Sequence, residues 1–301
     1  MSTDNWYQQQ ERGAGSFRLN LLFFIYRVFG ARFVKIWVWL VATIIGLSAK
    51  SVKEFSRKYK RILNEYQTAH NITPTDFTAS QHIRIFADSL VDKMIAMCDR
   101  RDRIKFTPKD NADWREFQNI INKKRGAFLI CCHIGNIEAL AAFPDGNNVK
   151  IHAFQQVGQT GVFHNFISRH SVRTNTTIHP VEDMNIGTAS EMFDALNHGD
   201  LVMMAGDRIS ATNPTKTIPA TVLGRACHLP LGVFKFAKSM SHPVFAVALL
   251  NTGHEKYTFV VKQLDNSNVN SMASEFANFM EKTTLSAPTQ WFNFYNFFQD
   301  A

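Results

Sequence analysis

The sequence predicts an α/β fold: a central mixed, mostly parallel sheet flanked by helices, preceded by an N-terminal apolar membrane-associated helix. Three observations carry this. Short apolar runs alternate with helical patterns from residue 127 onward. An apolar segment beginning at Leu19 leads directly into a basic helix. Of the 301 residues, 45% are hydrophobic, including 26 Phe, which is far more apolar surface than a solvated coil carries.

Residues 1–18 are polar, so a secretory signal with a basic start is not expected. From Leu19 to Ala49 the only charges are Arg27, Arg32 and Lys35, and the longest uncharged run, 36–49, is short of the ~18–20 residues that a spanning helix needs. On a helical wheel Arg18, Arg27, Arg32 and Lys35 gather in one half. This pattern reads as a helix embedded in or tilted through a membrane interface. Lys50, Lys53, Arg57, Lys58, Lys60 and Arg61 follow, opposed by Glu54, a cluster suited to an anionic membrane surface. The alternative is an apolar helix buried in the core and followed by a solvated basic one.

Farther along, Pro74 breaks the pattern, 77–99 reads as an amphipathic helix, and Trp114, Phe117, Ile120 and Ile121 lie on one helical face. Gly126 stops that helix. Strands are expected at 127–132, 149–157, 177–181, 201–205 and 244–250, with helices at 137–143, 162–170, 187–198 and 231–239. Four cysteines without CxxC spacing argue against a disulfide scaffold or a zinc site. The net charge of +8, from 33 Lys+Arg against 25 Asp+Glu, fits a nucleic acid, an anionic membrane or an acidic protein. Nucleic acid is the poorest fit, because the basic cluster adjoins an apolar helix and is not interleaved with stacking aromatics.

In such sheets chemistry gathers beyond the carboxyl ends of strands. Two ends stand out. The first is Cys132-His133-Ile134-Gly135-Asn136-Ile137-Glu138. A glycine turn at Gly135 lets Glu138 fold back onto the His133 imidazole, whose other nitrogen then takes a proton from a hydroxyl. A Cys132-His133 nucleophile pair is disfavoured, since neighbouring strand residues face opposite ways. The bland alternative is a partly buried, hydrogen-bonded histidine. The second end is Gly206-Asp207-Arg208, where Asp207 orients a guanidinium suited to phosphate or an oxyanion, or simply forms an ion-paired turn.

Taken together, these residues resemble a known family. His133 and Glu138 after an apolar strand look like the H-x4-D/E signature of the lysophospholipid acyltransferase superfamily, and in particular its bacterial lipid A biosynthesis (lauroyl/myristoyl) acyltransferase branch. Residues 196–210 (LNHGDLVMMAGDRIS), 222–232 (VLGRACHLPLG), His242-Pro243-Val244 and the ending Pro288-Thr289-Gln290-Trp291-Phe292-Asn293-Phe294-Tyr295 are similar to further blocks of that branch. Trp6 with Glu11-Arg12-Gly13 also fits it.

The resemblance implies a glycerolipid acyltransferase-like fold divided as 1–61, an N-terminal membrane-associated helical region, and 62–301, an acyltransferase domain. It implies acyl transfer from an acyl carrier protein or coenzyme A thioester to a hydroxyl of a membrane lipid or glycolipid, at the cytoplasmic face of the cell inner membrane. His133 and Glu138 would be catalytic, and Arg208, Asp207, Gly135 and Asn136 substrate-binding, the oxyanion being held by N–H groups near Gly135-Asn136 or by Arg208. No metal or organic cofactor is implied. A catalytically silent lipid-binding protein of the same fold is the alternative.

Overall fold

A computed structural model describes residues 16–48, 50–98, 105–142, 149–156, 175–210, 213–253 and 256–299. The expected helix at 162–170 and the Trp6 and Glu11-Arg12-Gly13 matches lie outside these residues. Three helices come first: α1 (Ser16–Ser48), α2 (Lys50–Ala69) and α3 (Ala79–Cys98). The next elements are β1 (Lys105–Pro108), α4 (Ala112–Asn122), β2 (Ala127–Gly135), a 3-10 turn (Ile137–Ala142), β3 (Ile151–Gln155) and β4 (Thr176–Pro180). After α5 (Ile186–Asn197) and β5 (Leu201–Ala205) comes the hairpin β6 (Thr217–Val222) and β7 (Arg225–Pro230). The chain closes with α6 (Leu231–Ser239), β8 (Val244–Gly253), β9 (Lys256–Leu264) and α7 (Val269–Ser286).

The strands β1-β9-β8-β2-β5-β3-β4 form one seven-stranded sheet. Its pairings are parallel except β8 with β9. β2 lies at the centre between β5 and β8, buried on both faces, which is why it reads as an unbroken apolar run. Its side chains divide by parity. Phe128, Ile130, Cys132 and Ile134 join a core layer with α2, α5, α6 and α7, whereas Ala127, Leu129 and Cys131 join one with α4 and the 3-10 turn. Trp291, Phe297 and Phe298 pack into the first layer, so the aromatic ending is core.

The expectation of an N-terminal membrane-associated helix, and with it the inner-membrane location, is corrected by the structure. Among the described residues no helix is long and apolar enough to cross a membrane. α1 is bent at Gly30, whose φ of 80° departs from helical values. Phe23, Tyr26 and Val34 bury against Val91, Met94 and Ile95 of α3. Of the charges set on the wheel, Lys35 turns inward to pair with buried Asp92 at 2.6 Å, while Arg27 and Arg32 stay exposed; from α3, Arg84 stacks on Trp39 of α1 at 3.5 Å. Phe24, Phe29, Ile36 and Trp37, on other faces of α1, are exposed. In α2, Lys60 pairs with Asp76 and Lys58 donates to Asn296 at 2.5 Å, so part of the basic cluster is spent within the chain.

Buried His82 ties α2 and α3 to the ending. Ser56 Oγ lies 3.0 Å from Nδ1, and Nε2–H donates to the Trp291 carbonyl at 2.8 Å, a tautomer dictated by the carbonyl, which only accepts. Burial pushes its pKa down to about 4 against the Trp291 bond, which raises it. A histidine buried neutral contributes stability that is present above its unfolded pKa near 6.5 and lost as pH falls toward 4. We expect the unfolding free energy measured in urea to drop by about 2 kcal/mol more between pH 7 and pH 5 in the wild type than in His82→Gln. Equal pH dependence in the two proteins would refute this.

Candidate active site

The ladder between β2 and β8 is regular up to Cys131, opposite Val247, and resumes at Gly135, opposite Leu249. Four residues of β2 therefore advance against two of β8, a bulge of the kind that re-aims side chains beside functional sites. His133 sits at its centre. On the other flank, β5 ends at Ala205, and Gly206 packs against Ile130 and Phe276 where any side chain would collide. That close approach delivers Asp207 to the bulge.

Asp207 has no exposed side-chain surface. Its Oδ1 lies 2.8 Å from His133 Nδ1, and its Oδ2 accepts the His133 backbone N–H at 2.8 Å and Asn293 Nδ2 at 2.9 Å. Tyr295 donates to the Asp207 carbonyl at 2.9 Å. Burial works to raise the Asp207 pKa, yet the His133 charge and hydrogen bonds, with Arg208 alongside, hold it down to about 2. An ionised carboxylate only accepts, so Nδ1 carries a proton and Nε2 is the ring nitrogen left facing away from Asp207. Nε2 has no hydrogen-bond partner among the described residues, and the His133 side chain is 29% exposed.

The carboxylate hydrogen-bonded to His133 is thus Asp207, from 74 residues downstream. Glu138, the acid expected to fold back onto the imidazole, instead accepts from Lys93 Nζ of α3 at 2.9 Å. It remains near His133. Against burial, which raises its pKa, Lys93 and then His133 hold Glu138 down to about 2. Arg208 Nε donates to Asn293 Oδ1 at 3.3 Å, and its guanidinium lies 6.0 Å from the Tyr295 ring. Asn293 therefore links Asp207 and Arg208, a role hidden at sequence level inside an aromatic ending.

Gly135 adopts φ 77°, which supplies the turn. The Asn136 backbone N–H donates to the Leu249 carbonyl at 2.8 Å and is already engaged. The Asn136 side chain donates to the Ser89 carbonyl at 2.8 Å and reaches Tyr257 Oη at 3.3 Å; that hydroxyl donates to Asp92 at 2.6 Å. The turn after His133 is thereby pinned to α1, α3 and β9. A cavity of about 330 Å³ adjoins it, lined among others by Lys35, Asp88, Asn136, Asn251 and Phe292.

Cys131 and Cys132 are buried, which together with nearby Asp207 raises both thiols well above their ordinary pKa and leaves them poor nucleophiles. Among the described residues no group of three or more His, Cys, Asp or Glu side chains is placed to hold a metal ion.

A family model described as bacterial lipid A biosynthesis acyltransferase matches residues 81–300, which takes in α3, the seven-stranded sheet, the bulge and the ending with Asn293. No curated protein matches the chain.

Proposed function

Because the chain belongs to the bacterial lipid A biosynthesis acyltransferase family, whose chemistry is acyl transfer of the lipid A type, we propose that it moves a fatty acyl chain from a carrier protein or coenzyme A thioester to a hydroxyl of a lipid or glycolipid. The observation that carries this reading is the pair of His133 and Asp207, with Nδ1 committed to the carboxylate and Nε2 partly open at the end of the central strands.

His133 is the general base. Its Nε2 takes the proton from the acceptor hydroxyl as that oxygen bonds to the thioester carbonyl carbon. Asp207 orients the imidazole and stabilises the imidazolium, and Glu138 stands nearby with its carboxylate engaged by Lys93. The tetrahedral oxyanion falls to Arg208. When the carbon–sulfur bond breaks, the imidazolium returns its proton to the departing thiolate, giving an ester and a free thiol. Gly135 and Asn136 shape the turn against which the substrates sit. This machinery belongs to the acyltransferase domain assigned to 62–301.

The test is direct. Purified protein is incubated with acyl carrier protein or coenzyme A thioesters and a bacterial lipid extract. The expected result is free thiol released together with a lipid heavier by one acyl chain. Lipid binding without thiol release or mass gain from either donor would overturn the proposal in favour of a silent binding protein.

A further inference from the structure

Lys93 stands on α3, outside the strand ends where the catalytic groups gather, yet it reaches Glu138 at 2.9 Å with only 14% of its side chain exposed. Holding a lysine there costs desolvation, and the contact needs a reason. The surroundings supply one. Asp207 is hydrogen-bonded to the His133 imidazole, and Glu138 is close enough for the His133 charge to act on it. A histidine between two uncompensated carboxylates is held as imidazolium, since each nearby anion favours the charged form by about 1–3 pH units. An imidazolium cannot accept the acceptor's proton.

We propose that Lys93 is a positioning residue that clamps Glu138 and offsets its negative charge, so that the His133 imidazole stays available as a base at neutral pH. The proposal rests on the reading of His133 as the general base. Among the described residues, the other charged or titratable groups that act on this centre are Arg208 beside Asp207, Cys131 and Cys132 on β2, and Tyr295 of the ending. Burial keeps both thiols and the Tyr295 phenol protonated. Asp92, the residue before Lys93 on α3, is matched by Lys35 at 2.6 Å. Glu138 is therefore the anion whose compensation falls to Lys93.

The experiment is an NMR titration of the His133 ring in full-length protein, which needs no substrate and stands apart from the assay of function. Lys93→Met should raise the His133 midpoint by about one pH unit, the effect of one unmasked, partly screened carboxylate, and Lys93→Arg should leave it in place. Glu138→Gln, which keeps the shape of the side chain, should lower it by about one pH unit because Lys93 then faces the imidazole alone. In the double variant Lys93→Met with Glu138→Gln it should return close to the wild-type value. Where transfer is active, the acid limb of kcat/KM should move with the NMR midpoint. A purely structural lysine would lower activity without moving either. An unmoved midpoint in Lys93→Met overturns the proposal; should that variant not fold, an unmoved midpoint in Glu138→Gln does. If the midpoints shift as expected while no thioester is consumed, the assignment of function fails and the electrostatic clamp stands.

Discussion

Replacing His133 by alanine is expected to lower thioester-dependent acyl transfer by about 10²–10⁴-fold while leaving the fold intact. The side chain lies in the middle of the bulge with 29% of its surface exposed, so its removal opens little cavity in the core. What disappears is the base. Asp207→Asn should approach the same loss by another route. A neutral amide offers Nδ1 a donor as well as an acceptor, no longer dictates the tautomer and no longer stabilises the imidazolium. The amide also meets the His133 N–H and Asn293 Nδ2 with one fewer strong acceptor, so some loss of stability is expected beside the loss of rate. The measurement is initial rate of thiol release for both variants at saturating acceptor, with circular dichroism to establish folding. A folded His133→Ala protein with wild-type rates would remove the base from the mechanism, and an unimpaired Asp207→Asn would remove the orienting role.

The contrast between His133 and its two acids shows which information a sequence carries at this site. His133 is legible because it closes the apolar run of β2, and a polar, titratable residue at the end of such a run is an anomaly with few structural explanations. Glu138 is legible because it is near in sequence, and that nearness alone suggests it as the partner. The hydrogen bond instead belongs to Asp207, which depends on two facts of sheet order: β5 lies beside β2, and the bulge offsets the ladder. Neither follows from local pattern. Lys93 and Asn293 are further from reach, since one looks like an ordinary helix-face cation and the other like filler among aromatics.

The fold follows the same division. The buried parallel strands β2, β5 and β8 announce themselves as apolar runs. The expected elements do not include β9, although every second residue is buried from Tyr257 to Val261, or α7, whose buried Phe276 and Met280 are diluted by polar residues. The apolar pattern of α1 is plain in the sequence, but its buried residues go to α3 and not to the membrane interface that the pattern suggests. Composition tells that a helix seeks an apolar contact; that α3 supplies it through Val91, Met94 and Ile95 is a tertiary fact.

Gly135→Ala is expected to be the most damaging substitution of a single hydrogen atom in the site. Two penalties coincide. With φ at 77°, an L-residue there incurs about 1–2 kcal/mol of backbone strain. A Cβ at this position would also collide with the Leu249 carbonyl oxygen, the atom that accepts the Asn136 N–H at 2.8 Å. A carbonyl in a central strand cannot swing aside as a side-chain tip does, so about 1–3 kcal/mol of overpacking adds to the strain. The sum, on the order of 3 kcal/mol, corresponds to a fall in Tm of roughly 5 °C for a chain of this size. Because the displaced backbone lies two residues from His133, transfer should fall at least tenfold even below the melting range, as the base leaves its alignment with Asp207. Gly232→Ala in α6 is the internal control. A Cβ there meets nothing within 4 Å, and alanine favours a helix over glycine, so its expected effect is a slight stabilisation with unchanged activity. If the two variants proved equally stable and equally active, the turn at Gly135 would have no part in holding the site.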